Sequence, residues 1–219
     1  MRKPEKLFSA EDRARLAEAV REAERATSGE IVPYVVGRSD SYDEAPWRAG
    51  TLLGFLVMAI LSGAWVATDL WLPYGLVEAA ALTAAGYLVG AAMPILFPRS
   101  AMLFVSPSTV NRRVEERARL AFLEEQVFAT RDRTGILIFL SLLEHRVRVI
   151  GDNGINAKVR QEEWDGIVDG IIRGMKRGAP AGALHRAIIE CGELLSRFGV
   201  ERKPDDTDEL DDTVRIRPT

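Results

Sequence analysis

The chain reads as an α/β domain interrupted by a two-helix transmembrane hairpin, and three observations predict this. Two charge-free hydrophobic stretches, Ala49–Ala67 and Ala79–Phe97, lie well inside the chain. Ile136–Leu140 is an unbroken apolar run, followed by Val147 and Val149 alternating with Arg146 and Arg148. Toward the C-terminus, apolar residues recur at helical spacing, first over Trp164, Ile167, Val168, Ile171, Ile172 and Met175, then over Leu184, Ala187, Ile188, Cys191, Leu195 and Phe198.

Each charge-free stretch approaches the roughly 20 apolar residues that a helix needs to cross a bilayer core. Helices buried in soluble cores seldom lack a polar face over such a length. Trp47 and Phe97 stand at one boundary and Trp65, Trp71 and Tyr74 at the other, where aromatic rings favour the headgroup zone. Arg38, Arg48, Arg99, Arg112 and Arg113 lie outside the spans, whereas the connector carries only Asp69 and Glu78. The basic-residue bias therefore predicts a multi-pass protein of the inner, cytoplasmic membrane, with the lipid bilayer around its hairpin and with the soluble domain and both termini cytoplasmic. Met1-Arg2-Lys3 is not followed by an apolar run, so the first span is expected to serve as the insertion signal. Gly86 and Gly90 give the second span a small-residue face, and Ala59 and Gly63 offer a match on the first. Close packing within one hairpin and a homodimer through Gly86 and Gly90 are the two readings of that face.

In the soluble pieces, Ser9 with Asp12 three residues on resembles a capping box, and Leu16, Ala19, Val20 and Ala23 make an apolar stripe. This helix should end near Thr27. Ile31–Val36 then reads as a strand in conflict with Pro33, which belongs on an edge or a bulge. The segment from Pro98 to Pro107 is left unassigned, and Ser108 or Thr109 is expected to cap a helix running to Ala129. Ile136–Leu140 has the character of a strand covered on both faces, and the alternation after it predicts an antiparallel partner ending near Gly151. The two periodic helices should cover the sheet, separated by Gly178 and Pro180, with Gly199 closing the second.

Composition narrows the chemistry. The net charge of −3 hides a basic body, because the stretch Asp205–Asp212 is acidic while arginines crowd Arg112–Arg148. Those arginines alternate with Glu115, Glu116, Glu124 and Glu125 and lack an aromatic stacking pattern, so no nucleic-acid partner is expected. The single cysteine, Cys191, sits on an apolar stripe and forms no internal disulfide. No Gly-x-Ser-x-Gly elbow, Walker loop or cysteine-centred phosphate loop is present, and the two histidines, His145 and His185, lack partners at ligand spacing.

Four segments carry a resemblance: Leu7-Phe8-Ser9-Ala10-Glu11, Thr27-Ser28-Gly29-Glu30-Ile31-Val32, Arg133-Thr134-Gly135-Ile136-Leu137-Ile138 and Gly151-Asp152-Asn153-Gly154-Ile155-Asn156. In this order, with the later helices, the chain resembles the TPM-domain family. The resemblance implies a three-layer α/β/α sandwich, here interrupted by the transmembrane hairpin. It implies a role in maintaining membrane protein complexes, calcium binding in some members, and weak phosphatase activity in others. The expected organisation is a first helix and strand over 1–47, the hairpin over 48–98, the rest of the TPM-like domain over 99–199, and a disordered acidic tail over 200–219.

Candidate metal ligands are Asp132, Asp152 and Asp40, each in a loop at a strand end, where carboxylates suit a hard ion such as Ca2+ or Mg2+. Glu163, eleven residues beyond Asp152, superficially extends the pattern, but Gly154 and Ala157 break an EF-hand loop. The bland explanation is a turn in which Asn156 caps the next helix. The expected function is thus a non-catalytic, membrane-tethered interaction or maintenance domain for membrane proteins. The alternative is a metal-dependent phosphatase, with Arg131, Arg133 and Arg146 available to phosphoryl charge. No organic cofactor is expected.

Overall fold

The computed structural model describes residues 7–67, 75–200, 202 and 209–217. The chain divides into two compact units, one comprising 41–110 and the other built from the described residues on either side of it.

In the larger unit, helix α1 (Ala10–Arg25) opens as the sequence predicts. Ser9 Oγ accepts from the Asp12 backbone N–H at 3.0 Å and the Asp12 carboxylate accepts from the Ser9 N–H at 2.9 Å, completing the capping box. Strand β1 (Glu30–Val36) pairs in parallel with β2 (Gly135–Ser141), from Glu30 opposite Gly135 to Val36 opposite Ser141. Strand β3 (Arg146–Gly151) runs antiparallel to β2, and the sheet order is β3-β2-β1-β4, with β4 formed by Arg215–Arg217.

Pro33 therefore sits on an internal strand. The conflict resolves through strand parity: Glu30 N–H donates to Thr134 on the β2 side, whereas Ile31 N–H points the other way, to Glu24. Pro33 shares the parity of Ile31, so its missing donor faces away from β2, and β4 begins pairing only at Tyr34. The fourth strand corrects the expectation of a disordered tail over 200–219. Among its described residues, Arg215–Arg217 have hydrogen-bonding backbone to offer an open sheet edge, and they take it despite few apolar side chains. Residues 201, 203–208 and 218–219 of that tail lie outside the described residues.

All seven residues of β2 are buried, as expected for a strand covered on both faces, and β3 alternates half-buried and buried positions. On one face Ile31, Val35, Ile136, Ile138, Leu140, Val147 and Val149 pack with α1, α6 (Asp165–Lys176) and α7 (Pro180–Arg197). Gly178 and Gly199, both at positive φ, end α6 and α7 in the left-handed conformation that spares helix carbonyls from going unpaired. On the other face lies α4 (Pro107–Glu124): Arg117 Nη2 donates to the Tyr34 hydroxyl at 2.7 Å, and Tyr34 stacks on Phe139 with centroids 5.8 Å apart. The result is a four-stranded sheet flanked by helices on both sides.

Two boundaries of α4 differ from the sequence reading. Ser106, rather than Ser108 or Thr109, caps it, since its Oγ accepts from Thr109 N–H at 3.2 Å and Pro107 takes the first helical position, where no N–H is needed. The helix stops at Glu124 instead of Ala129 because Gln126 adopts φ +51°, and Val127 N–H bonds back to the Phe122 carbonyl. That device usually employs glycine.

The smaller unit contains α2 (Glu44–Ala67) and α3 (Leu76–Leu96), followed by a 3-10 helix over Pro98–Leu103 in the segment that sequence left unassigned. Trp71, Tyr74 and Asp69 lie outside the described residues. The small-residue face of α3 meets α2 as a hairpin would require, but through different partners. A Cβ on Gly90 would approach the Ala49 carbonyl at 2.6 Å and one on Gly86 the Val57 side chain at 2.8 Å, while Gly50 faces Tyr87. Gly63 has nothing within 4 Å, so the expected match at Ala59 and Gly63 is corrected to the stretch Ala49–Val57, set by where the two helices cross.

Candidate functional site

The loops at the start of β2 and the end of β3 form the best-built polar cluster. The antiparallel register places Gly151 opposite Ile136, and Asp152 N–H continues the ladder to the Gly135 carbonyl at 2.9 Å. The preceding loop folds under it: Arg133 N–H bonds the Thr130 carbonyl at 3.2 Å, Thr134 N–H bonds Thr130 Oγ1 at 2.9 Å, and Gly154 N–H bonds the Arg133 carbonyl at 2.9 Å. Arg133 pays for this with φ +58°, an uncommon conformation for a residue with a side chain.

That backbone aims the Arg133 guanidinium at Asp152. Its Nη2 donates to Oδ1 at 3.0 Å and its Nε forms an ion pair with Oδ2 at 2.6 Å, although the buried Oδ2 accepts no hydrogen bond; the carboxylate is only 5 % exposed. Oδ1 also accepts from Asn153 N–H at 2.7 Å, so Asp152 caps the short helix α5 (Asn153–Asn156). The expected cap at Asn156 is thereby corrected: Asn156 Nδ2 donates back to the Gly151 carbonyl at 2.7 Å instead, because Asp152 already stands at the helix start. The guanidinium carbon of Arg133 rests 5.7 Å from the centroid of the Phe128 ring, which holds the arginine in place.

Asp132 and Asp152 thus belong to one end of the sheet. The Asp132 carboxylate lies 3.9 Å from Arg131 Nη2, and the loop carbonyl of Asp132 is so close to Gly154 that a Cβ there would come within 2.3 Å. Asp40 follows β1 and sits at the opposite end, roughly 20 Å of strand away. It pairs with Arg113. Glu163 is turned to Arg160 at 3.3 Å. Among the described residues no three His, Cys, Asp or Glu side chains converge on a point where a metal ion could be held. Asp152 and Asp40 already face guanidinium groups, so the three candidate ligands do not fit one hard-ion site in this arrangement.

At the Asp40 end the structure assembles a second cluster that sequence reasoning missed. Ser39 N–H donates to Glu144 Oε1 at 2.8 Å and Ser39 Oγ to Ser141 Oγ at 2.8 Å, while Ser141 Oγ donates to Glu144 Oε2. No local signal marks residues so distant in the chain; only the parallel register of β1 and β2 brings them together. The cluster ties the end of β1 to the turn after β2, where His145 adopts φ +51°. Of the arginines considered for phosphoryl charge, Arg133 is spent on Asp152, Arg146 Nε donates to Asn111 at 2.9 Å, and the Arg131 backbone N–H donates to Glu209 at 2.9 Å. Cys191 is fully buried, and desolvation pushes its thiol far above the usual range, as its core position implies.

With this geometry in hand, the family model described as TPM domain matches residues 100–194. Residues 100–194 are similar to the TPM domain. The matched stretch contains β2, β3 and the helices that follow, while β1 and β4 come to the same sheet from outside it. The solved NMR structure of BA42 protein from the psychrophilic bacterium Bizionia argentinensis is similar in fold, with a TM-score of 0.59 at 20 % identity over 96 % of this chain and 95 % of that one. No curated protein matches the chain.

Within the larger unit, Arg133→Ala should cost about 1–2 kcal/mol, because Asp152 keeps its Asn153 bond but loses the Nη2 hydrogen bond and the Nε ion pair while remaining buried. The midpoint of thermal unfolding checks this. An unchanged midpoint would remove Arg133 from the account of the loop.

Proposed function

We propose that the protein is a membrane-tethered TPM domain that serves as an interaction or maintenance module for membrane protein complexes rather than as a catalyst. One observation carries the reading: α2 and α3 are both long and apolar enough to cross a bilayer, and only 17 % of the most apolar window of each is buried. Leu52, Phe55, Leu56, Ile60, Leu88, Val89 and Ile95 are all exposed on them, an apolar surface far beyond what water tolerates. Lipid is the solvent that suits it, and α-helices are the form in which a backbone can enter lipid. The arginines flanking the pair, set against the acidic connector, support a cytoplasmic location for the TPM domain and both termini.

The non-catalytic part rests on the candidate site. Asp152 and Asp40, at opposite ends of the sheet, are each engaged by an arginine, which disfavours a substrate or an activated water at either carboxylate. A divalent cation at the Asp132–Asp152 edge would have to displace Arg133.

Fractionation tests the tether. The full chain should stay with membranes through alkaline carbonate and leave them only in detergent, while Leu56→Arg, which puts a charge on the exposed middle of α2, should add about 2.5–3.5 kcal/mol to insertion and shift much of the chain to the soluble or aggregated fraction. Wild-type chain recovered as a monodisperse species without detergent would overturn the reading.

A further inference from the structure

The C-terminal residues 209–217 are strapped along the free side of β1 by contacts at both ends. At the far end, β4 pairs with Tyr34–Val36, Gly37 N–H donates to the Arg217 carbonyl at 3.2 Å, and Arg215 and Arg217 both reach Glu125, at 3.2 and 3.3 Å. At the near end, the backbone N–H groups of Glu209 and Leu210 donate to the Glu30 carboxylate at 3.2 and 3.3 Å. Beside them Glu24 of α1, only 5 % exposed, accepts from Ile31 N–H through Oε1 at 2.8 Å and lies within hydrogen-bonding reach of Asp212.

The two acids leave a mismatch. Glu24 Oε2 and Asp212 Oδ1 are both buried, and neither receives a donor. A buried acceptor without a donor is costly, and two ionised carboxylates in contact are more so. One proton between them removes both penalties, by turning two acceptors into a donor and an acceptor.

We propose that a proton held by Glu24 and donated to Asp212 latches the C-terminal strap onto β1, so that this sheet edge is covered in acid and uncovered as the pH rises.

The charged groups around the latch fit this role. Glu30 from β1 adds negative charge, and Arg21 from α1 reaches only the outer side of Asp212, with Nη1 3.6 Å from Oδ2. Asp211 is turned away into its own loop, where Thr213 N–H donates to it at 2.9 Å, and Glu209 accepts from Arg131 N–H at 2.9 Å. Burial, with Glu30 and Asp212 adding to it against the Ile31 bond, pushes the Glu24 carboxyl from 4.5 up to about 9. The closed strap thus binds a proton that the open one releases. Its hold is complete below about pH 4.5, weakens as the pH climbs, and is fully lost above about 9. Bonds to Thr213 lower the Asp211 carboxyl from 3.8, which acts in the opposite sense but only below this window.

Hydrogen–deuterium exchange of the full chain in detergent micelles, corrected for the intrinsic pH dependence of exchange, tests the latch. Protection of 209–217 should fall as the pH rises from 5 to 9, while Ile136–Leu140 stays protected throughout. Glu24→Gln and Asp212→Asn each supply a permanent donor in place of the proton, and either should hold the strap closed and flatten the profile. A flat wild-type profile, or the wild-type slope retained in both variants, would overturn the proposal. Loss of strap protection on adding EDTA at pH 5 would also overturn it, by showing that a cation and not a proton fills the gap.

Discussion

Trp164→Ala is expected to destabilise the larger unit by about 3–5 kcal/mol, the largest loss that any single truncation here should cause. Trp164 closes the 3-10 helix over Gln161–Trp164, is 1 % exposed, and begins the stripe of Ile167, Ile171 and Met175 that α6 lays on the sheet. The helix has no side-chain cap at its start, so its position depends on burying that stripe rather than on satisfying its first N–H groups. Removing the indole leaves a cavity among β-strand and helix side chains that close packing prevents from collapsing. In detergent micelles the unfolding midpoint should drop by about 6–20 °C on the basis of roughly 2–4 °C per kcal/mol. Trp164→Phe should recover most of the loss, and equal midpoints for Trp164→Ala and wild type would show that the indole does not anchor α6.

Gly135→Ala should follow at about 3 kcal/mol, the upper end of what overpacking usually costs. A Cβ at this position would stand 1.9 Å from the Val127 carbonyl oxygen and 2.9 Å from its carbonyl carbon, backbone that cannot turn aside as a flexible side chain could. The same residue starts the central strand and gives its carbonyl to Asp152 N–H, so relief by shifting β2 would disturb the candidate loop as well. Gly166→Ala is the matched control. It lies on α6 with open space around it and should gain roughly 0.5–1 kcal/mol, because alanine loses less backbone entropy in a helix. The two variants should therefore move the midpoint in opposite directions, and a loss at both would locate the effect in the chain's response to any added methyl group.

The sequence revealed most where the deciding interaction was local. Ser9 and Asp12 are three residues apart, the covered character of β2 is written in five consecutive apolar residues, and Gly199 ends a helix by its own backbone freedom. It misled where an unusual residue did a common job. Gln126 turns the end of α4 in a conformation ordinarily left to glycine, and Ser106 caps the same helix ahead of two other hydroxyl residues equally plausible by type. Pro33 seemed to bar an internal strand because its neighbour on the far side, β4, was hidden in a segment whose composition gave no strand signal.

The candidate site divides on the same line. Asp132 and Asp152 share a sheet end because a short hairpin returns the chain, which spacing could suggest. Asp40 belongs to the other end because β1 and β2 run parallel, which spacing could not. The partners that decide what these acids can do, Arg133 at positive φ and Arg113 on a helix begun elsewhere, are matters of tertiary geometry. The contact of Ser39 with Ser141 and Glu144 had no sequence trace at all.

The parallel pairing of β1 also orders events during synthesis. When β1 emerges from the ribosome, neither neighbour exists: β2 follows both apolar helices, and β4 follows every helix of the sheet's unit. The nascent N-terminal helix and strand must wait, with one large loop to close before any sheet can form. A ribosome stalled before β4 releases a product in which one side of β1 is left without its partner strand.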